Sequence, residues 1–159
     1  MCKNTQVRFA TVDEIESIAA VLHQAFVEYQ VLYTPEAFAA TTPTAALLRE
    51  RWSEGPVWVA LQTSQLVGTI AAMPMSEALY VRSMGLLPHA RGHGVGTLLL
   101  QQVERFARAQ GFKRLFLSTT PFLRSAIRLY EQYDFQKTRE GPRDLYGTRL
   151  FSMEKLLKS

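Results

Sequence analysis

The chain has 159 residues, of which 47% are hydrophobic and 20% are charged. This composition excludes a disordered chain, and the length predicts one domain that spans residues 1–159. The formal net charge of +4 is compatible with a polyanionic ligand, either a phosphorylated cofactor or nucleic acid, and equally with an ordinary basic surface.

A single cysteine, Cys2, excludes an internal disulfide and suits a reducing cytosol. The first residues lack the apolar core of a signal peptide. No run of residues approaches the ~18 apolar positions that a membrane-spanning helix needs. We therefore expect a cytoplasmic protein without a membrane segment.

Hydrophobic periodicity predicts alternating strands and helices along the chain. Thr11 and Glu14 have the spacing of a capping box that opens the first helix. The pair Thr42-Pro43 predicts the cap and the first residue of the second helix, and residues 31–42 before it are expected to be irregular. The predicted helices are 11–29, 42–52, 94–110 and 125–133, and the predicted strands are 6–10, 57–61, 66–73, 78–86, 114–119, 135–139 and 150–156.

Glycine and proline mark the ends of several of these elements. Pro74 is expected to end a strand, Gly111 to end a helix, and Gly141-Pro142 to form a turn. The order of elements places a run of consecutive strands between helical crossovers. It predicts an α/β fold with a mixed, mostly antiparallel sheet of six to seven strands and four helices on both faces.

Three glycines, Gly92, Gly94 and Gly96, lie between a predicted strand and a predicted helix. The first backbone N–H groups of a helix have no internal acceptor, and glycine lets an anion approach them closely. Arg91 adds a cation with two donors. Neither the Walker pattern nor the Rossmann fingerprint matches this spacing, so the turn predicts a phosphate site of another kind or a tight turn without a ligand.

The residues 86–96, LLPHARGHGVG, resemble the acetyl-CoA loop of the GNAT superfamily of acetyltransferases, R/Q-x-x-G-x-G/A, with Arg91, Gly94 and Gly96 at the defining positions. Downstream, residues 126–135, AIRLYEQYDF, resemble the family motif A-x-x-L-Y-x-x-x-G-F. Two positions depart from the family pattern. Leu123 stands where the family usually has an asparagine that contacts the pantetheine arm, and Asp134 replaces the usual glycine.

The resemblance implies an acetyl-CoA-dependent N-acetyltransferase that acts on a primary amine of a small molecule or peptide. The same fold used as a CoA-binding sensor without turnover is the alternative. Tyr130 is the implied catalytic residue, which protonates the CoA thiolate. The implied cofactor-binding residues are Met84, Gly85 and Leu86 along the pantetheine arm, and Arg91, Gly92, His93, Gly94, Val95, Gly96 and Thr97 around the pyrophosphate.

The resemblance also implies that the acceptor binds between residues 26–33 and 144–149, where Tyr29, Tyr33 and Tyr146 are candidate walls. Glu28 and Glu77 are candidate bases, but the sequence favours a solvated surface charge for each, and neither is assigned as catalytic. We expect no metal, because His89 and His93 lack a third ligand. We expect no nucleic-acid partner, because the basic residues are spread along the chain. A homodimer is possible, because the family is often dimeric.

Overall fold

Eight strands form one sheet in the computed structural model, which describes residues 4–139 and 143–158. Their order is β1-β2-β3-β4-β5-β8-β6, and β7 also pairs with β8. Neighbouring strands are antiparallel except β4 and β5, which are parallel. The strands are β1 (Thr5–Phe9), β2 (Val57–Gln62), β3 (Gln65–Met75), β4 (Ala78–Leu86), β5 (Arg114–Thr119), β6 (Gln136–Lys137), β7 (Arg143–Leu145) and β8 (Thr148–Leu156).

Helices cover both faces of the sheet. Val59 packs with α1, whereas its neighbours Trp58 and Ala60 belong to the larger core that includes α4. Since successive side chains of a strand point to opposite faces, α1 and α4 lie on opposite sides. The α-helices are α1 (Ile15–Phe26), α2 (Pro35–Thr41), α3 (Ala45–Arg51), α4 (Val95–Gln110) and α5 (Arg124–Gln132).

Strands β4 and β5 separate after a short paired stretch. They pair over three residues, ending at Tyr80 opposite Phe116. Beyond that point the pairing of β4 with β3 shifts register, so that Ser83 and Met84 form a bulge. Ser83 has a φ of 53°, which is uncommon outside glycine. Because bulges bend a strand and increase its twist, this bulge opens a gap in the middle of the sheet.

The predicted α/β fold with a mostly antiparallel sheet is confirmed, with more elements than expected in the described part of the chain. Strand β7 adds an eighth strand, and α2 adds a fifth α-helix. The last strand begins at Thr148 rather than at residue 150, because it forms a hairpin with β7. The turn predicted at Gly141-Pro142 lies outside the described residues.

The expectation that residues 31–42 are irregular is wrong. Helix α2 fills most of this segment, and Thr34 caps it by accepting a hydrogen bond from Ala37 N at 3.2 Å. The cap predicted at Thr42 is also wrong. Thr42 instead closes α2 by donating its hydroxyl to Phe38 O at 2.8 Å, and Thr44 caps α3 by accepting from Leu47 N.

Two predicted boundaries differ for physical reasons. Helix α1 ends at Phe26, and the chain continues as a 3-10 helix, Val27–Leu32. The chain therefore changes helix type shortly before the predicted end near residue 29. Pro74 does not end β3, because it pairs with Leu79 in the hairpin with β4. Strand β2 pairs with β3 only as far as Ala71, so Pro74 lies where one side of β3 is an edge that needs no N–H donor.

Candidate active site

A cleft of about 310 Å³ lies where β4 and β5 separate. Residues from both faces of the sheet line it, so the opening connects the side of α5 with the side of α2. The lining residues are Phe26, Tyr33, Ala40, Thr41, Arg51, Tyr80, Val81, Arg82, Ser83, Met84, Leu117, Ser118, Thr119, Thr120, Leu123, Ala126, Tyr130, Leu145 and Leu150.

Tyr130 lies at the α5 side of this cleft. Its side chain is buried, with 8% of the residue exposed, and its hydroxyl donates to Met84 Sδ at 3.8 Å. Burial raises the pKa of Tyr130 well above that of a free phenol, and the nearby Tyr33 and Tyr80 raise it further. The phenol therefore keeps its proton throughout the neutral and mildly alkaline range.

Strand β4 offers an unpaired edge to this cleft. Gly85 and Leu86 pair with β3 on one side, while pairing with β5 on the other side ends at Tyr80. A side chain at Gly85 would crowd α1, since its Cβ would lie 3.1 Å from Ala25 Cβ. The backbone of the sequence-predicted residues Met84, Gly85 and Leu86 therefore borders the gap, where an extended ligand has room to lie along the strand.

The glycine turn forms the start of α4. Gly92 and Gly94 have φ angles of 79° and 83°, a left-handed conformation that glycine adopts without strain. The helix begins at Val95, and Leu98 N donates to Gly94 O at 3.1 Å. The N–H groups before Leu98 have no acceptor within the helix. These are the amides of Val95, Gly96 and Thr97, which follow the turn residues Gly92, His93 and Gly94.

Gly96 serves packing. It is buried, and a Cβ at this position would lie 2.6 Å from Leu129 Cδ2. A side chain here would force the end of the Leu129 side chain to move, so this glycine has a packing role between α4 and α5, whatever lies at the helix terminus. The sequence argument explained all three glycines by access to an anion, and the structure supplies a different cause for this one.

The Arg91 side chain points to the end of α1. Its guanidinium donates to Glu28 Oε1 at 2.5 Å and to Ala25 O at 2.7 Å. The cation that the sequence assigned to the phosphate site is therefore engaged in this arrangement. Glu28, a candidate base, is the ion-pair partner of Arg91, and the other candidate, Glu77, is exposed in the turn between β3 and β4.

The three candidate acceptor walls have different places. Tyr33 is buried and lines the cleft. Tyr29 packs against Phe122, with ring centroids 6.3 Å apart, and does not line the cleft. Tyr146 is 65% exposed in the turn between β7 and β8 and is also outside the lining. Of these tyrosines, the cleft brings only Tyr33 together with Tyr130.

The two residues that depart from the family motif behave differently. Leu123 lines the cleft as the residue before α5, where it supplies an apolar surface in place of an amide. Asp134 has a φ of 70°. The chain therefore keeps a left-handed turn here with aspartate, one of the residues that tolerate this conformation, in place of the family glycine.

Three polar residues of the cleft were missed by sequence reasoning. Arg51 ends α3, Arg82 lies in β4, and Thr120 follows β5. In the sequence, each reads as an ordinary polar residue. Only the packing of α2 and α3 beside the gap brings them to one surface, so no local signal identified them.

Neither a metal cluster nor a membrane helix is found in the part of the chain that the structure describes. Residues 4–139 and 143–158 contain no group of three His, Cys, Asp or Glu side chains that is arranged to hold an ion. None of the helices over the same residues is long and apolar enough to cross a bilayer.

Comparison with solved structures identifies the same fold in known enzymes. The PaiA N-acetyltransferase of Thermoplasma acidophilum, solved in complex with coenzyme A, superimposes with a TM-score of 0.79 at 19% identity, covering 97% of this chain and 99% of that one. The ribosomal-protein-S18-alanine N-acetyltransferase of Escherichia coli also gives a TM-score of 0.79, at 12% identity, over 98% of this chain and 95% of that one. At these identities the likeness establishes the fold.

Sequence comparison establishes the family. The chain is 31% identical over 136 residues to the uncharacterized N-acetyltransferase YjgM of Escherichia coli, covering 82% of this chain and 81% of that protein. It is 36% identical over 89 residues to N-acetyltransferase family 8 member 3 of the mouse, which covers 52% of this chain but 39% of that longer protein. The sequence model of the Acetyltransferase (GNAT) family matches residues 21–135. The acetyltransferase function expected from the two motifs is confirmed, and the chain belongs to the GNAT family.

Proposed function

We propose that this acetyltransferase transfers an acetyl group from acetyl-CoA to the primary amine of a small molecule or peptide. The observation that carries the proposal is the gap between β4 and β5, in which Tyr130 contacts Met84. The gap has an unpaired strand edge on one side and a proton donor on the other. These are the two features that a thioester and its leaving thiolate require.

The glycine turn and the strand edge fit acetyl-CoA. The left-handed Gly92 and Gly94 turn the chain so that it enters α4 without a capping side chain. We assign the pyrophosphate to the amides of this turn, because a helix N-terminus favours negative charge. Arg91 contributes its backbone here, since its guanidinium is held by Glu28. The pantetheine arm is assigned to the edge formed by Met84, Gly85 and Leu86.

Acetyl-CoA supplies an acetyl group that is activated as a thioester. The free amine forms a bond to the carbonyl carbon, the carbon–sulfur bond breaks, and the proton that the amine gives up replaces, through solvent, the one donated to the thiolate. We assign the protonation of the thiolate to the Tyr130 hydroxyl, since this phenol holds its proton and faces the gap. An amide of β4 near Leu86 is placed to polarise the carbonyl.

The described lining of the cleft contains no carboxylate. We therefore propose that the acceptor enters as the free base. The rate then rises with pH in step with deprotonation of the acceptor amine in solution, and not with a side chain of the protein.

We also propose that residues 1–159 form one domain, because the cleft is lined from Phe26 before α2 to Leu150 in the last strand. Elements from nearly the whole chain are thus needed to complete one site. A fragment that lacks either end of this span would lose part of the cleft.

The test combines cofactor binding with turnover. Acetyl-CoA is expected to raise the melting temperature of the protein, whereas ATP and NAD are not. A panel of amines is then assayed for release of free CoA thiol. Binding of acetyl-CoA without release of CoA thiol in the presence of any amine would refute the acetyl-transfer proposal. The absence of a thermal shift at millimolar acetyl-CoA would refute the cofactor assignment.

A further inference from the structure

We infer that the acceptor amine carries a carboxylate close to its amino group, as a free α-amino acid does. The inference rests on the proposed function and names its substrate class. It begins from two arginines, Arg51 at the end of α3 and Arg82 in β4, which both line the cleft. Guanidinium groups bind carboxylates through paired N–H donors.

The charges around these two arginines do not balance. Arg82 forms an ion pair with Glu54, and the pKa of Glu54 is lowered mainly by Arg82 and further by Arg51. One carboxylate therefore faces two guanidiniums, and Glu54 itself does not line the cleft. Among the described lining residues none is acidic. The cleft thus offers one uncompensated positive charge to a ligand.

Arg82 lies near the reacting end of the cleft. It precedes Met84 by two positions in β4, across the bulge at Ser83, and Met84 Sδ accepts from Tyr130. The Arg82 side chain is 19% exposed, whereas that of Glu54 is 43% exposed. Arg82 is therefore partly shielded from water, where its attraction for an anion is screened less than at the surface.

Neutral donors complete the surface on the α2 side. Thr120 is 2% exposed, and its Oγ1 makes no hydrogen bond of regular geometry. The hydroxyls of Thr120 and Thr41 lie close enough to Tyr33 to lower the pKa that burial raises. A polar ligand in this part of the cleft would give the Thr120 hydroxyl a further hydrogen-bond partner.

The same features disfavour polycationic acceptors. A diamine or an aminoglycoside brings a second ammonium next to Arg51 and Arg82, with no carboxylate in the described lining to receive it. Like charges in such a site repel one another and weaken binding. The cleft volume of about 310 Å³ is also at the small end for ligand sites. Charge and size therefore both favour a small acceptor with a carboxylate.

The experiment compares matched acceptors that differ in the carboxylate. L-Leucine and L-phenylalanine are each assayed beside their carboxamides and beside spermidine, with acetyl-CoA fixed and CoA thiol release recorded. The amino acids are expected to give a kcat/KM at least about tenfold higher, the effect of one charge-assisted hydrogen bond. The amino group of each carboxamide is less basic than that of the amino acid, so more of it is present as the free base at a given pH. A preference for the amino acids therefore does not come from a larger supply of free amine.

Two substitutions assign the preference to the arginines. Arg51→Met and Arg82→Met are expected to raise the KM for L-leucine about tenfold, to change the KM for L-leucinamide by much less, and to leave the KM for acetyl-CoA unchanged. Arg49→Met is the matched control. Arg49 lies in the same helix, pairs weakly with Glu16 at 3.5 Å and does not line the cleft, so this variant is expected to behave as the parent protein.

The outcomes separate this inference from the proposed function. Equal or better turnover of the carboxamides or spermidine would overturn the carboxylate preference and leave acetyl transfer intact. If no amine is acetylated, acetyl transfer fails, and calorimetry of L-leucine and L-leucinamide binding to the CoA-loaded protein still decides the preference. Tighter binding of L-leucine, weakened by Arg51→Met, supports the inference, and equal binding overturns it.

Discussion

The helices of this protein begin in two different ways. In the turn before α1, the Glu14 carboxylate accepts a hydrogen bond from Thr11 N at 2.9 Å. The same carboxylate forms an ion pair with Arg8 at 2.7 Å. Helix α4 begins instead at Gly94, which has no side chain to accept a bond. One N–H group of the turn that leads into α1 is thus satisfied by a carboxylate of the same turn, while the first N–H groups of α4 remain available to an external anion.

The remaining helices follow the same division. Thr34 and Thr44 cap α2 and α3 with their hydroxyls. Helix α5 begins after Leu123, which provides no side-chain cap and lines the cleft. Helices α2 and α3 therefore have threonine caps, and the two helices that border the proposed cofactor site, α4 and α5, have no side-chain cap. Breaking each kind of start is expected to have a different consequence.

The largest effect is expected at the uncapped start. Gly94→Val places a branched side chain on a left-handed residue above the proposed phosphate site, so we expect the thermal shift with acetyl-CoA to disappear. Gly111→Val is the matched control, because Gly111 has a φ of 84° at the other end of α4. Both variants should lose about 1–2 kcal/mol of stability. Loss of cofactor binding in both, or in neither, would contradict the assignment of the pyrophosphate.

The next effect concerns the proton donor. Tyr130→Phe is expected to lower kcat about 100-fold without changing the KM for acetyl-CoA. Tyr133→Phe is the control, because Tyr133 directly follows the same helix and lies outside the cleft, with Lys155 Nζ 4.0 Å from its ring centroid. Because burial keeps Tyr130 protonated, the kcat of the parent protein should not fall between pH 7 and about 10 through deprotonation of this residue. An unchanged kcat in Tyr130→Phe would return this residue to packing alone.

Gly96 gives a smaller effect, on stability. Gly96→Ala is expected to cost about 1 kcal/mol, because its Cβ would force the end of the Leu129 side chain to move. Adding Leu129→Ala should recover part of that loss, as measured by denaturant unfolding of the single and double variants. A Gly96→Ala protein that unfolds like the parent but no longer binds acetyl-CoA would show that this glycine serves the ligand.

The smallest effect is expected at the capped start. The Arg8 hydrogen bond is the main cause that lowers the pKa of Glu14 to about 2, although partial burial opposes it. The folded pKa is below the usual 4.5, so the stabilisation is present above pH 4.5 and is lost as the pH falls toward 2. Glu14→Gln should cost about 1 kcal/mol at pH 7 and nothing at pH 2. Glu16 belongs to an exposed and weaker ion pair, so Glu16→Gln should leave the free energy of unfolding nearly unchanged at both pH values.

Local patterns predicted most of the fold. The helical period of α4, the glycines at its two ends and the apolar strand β5 are set by residues within a few positions of one another. The helix that was missed, α2, carries such a signal as well, because Thr34-Pro35 is the same cap-and-proline pair that was used for Thr42-Pro43. The error arose from choosing one of two neighbouring pairs, which a local pattern does not rank.

By itself, the sequence determined the family, the glycine turn that starts α4 and the presence of Tyr130 one turn from the end of α5. Only the tertiary structure decided that β4 bulges at Ser83, that Arg91 is held by Glu28, and that Arg51 and Arg82 meet in one cleft. Motifs and caps depend on neighbours in the chain. The convergence of charges depends on how distant elements pack, because residues 31 positions apart acquire a shared environment only when the sheet and its helices assemble.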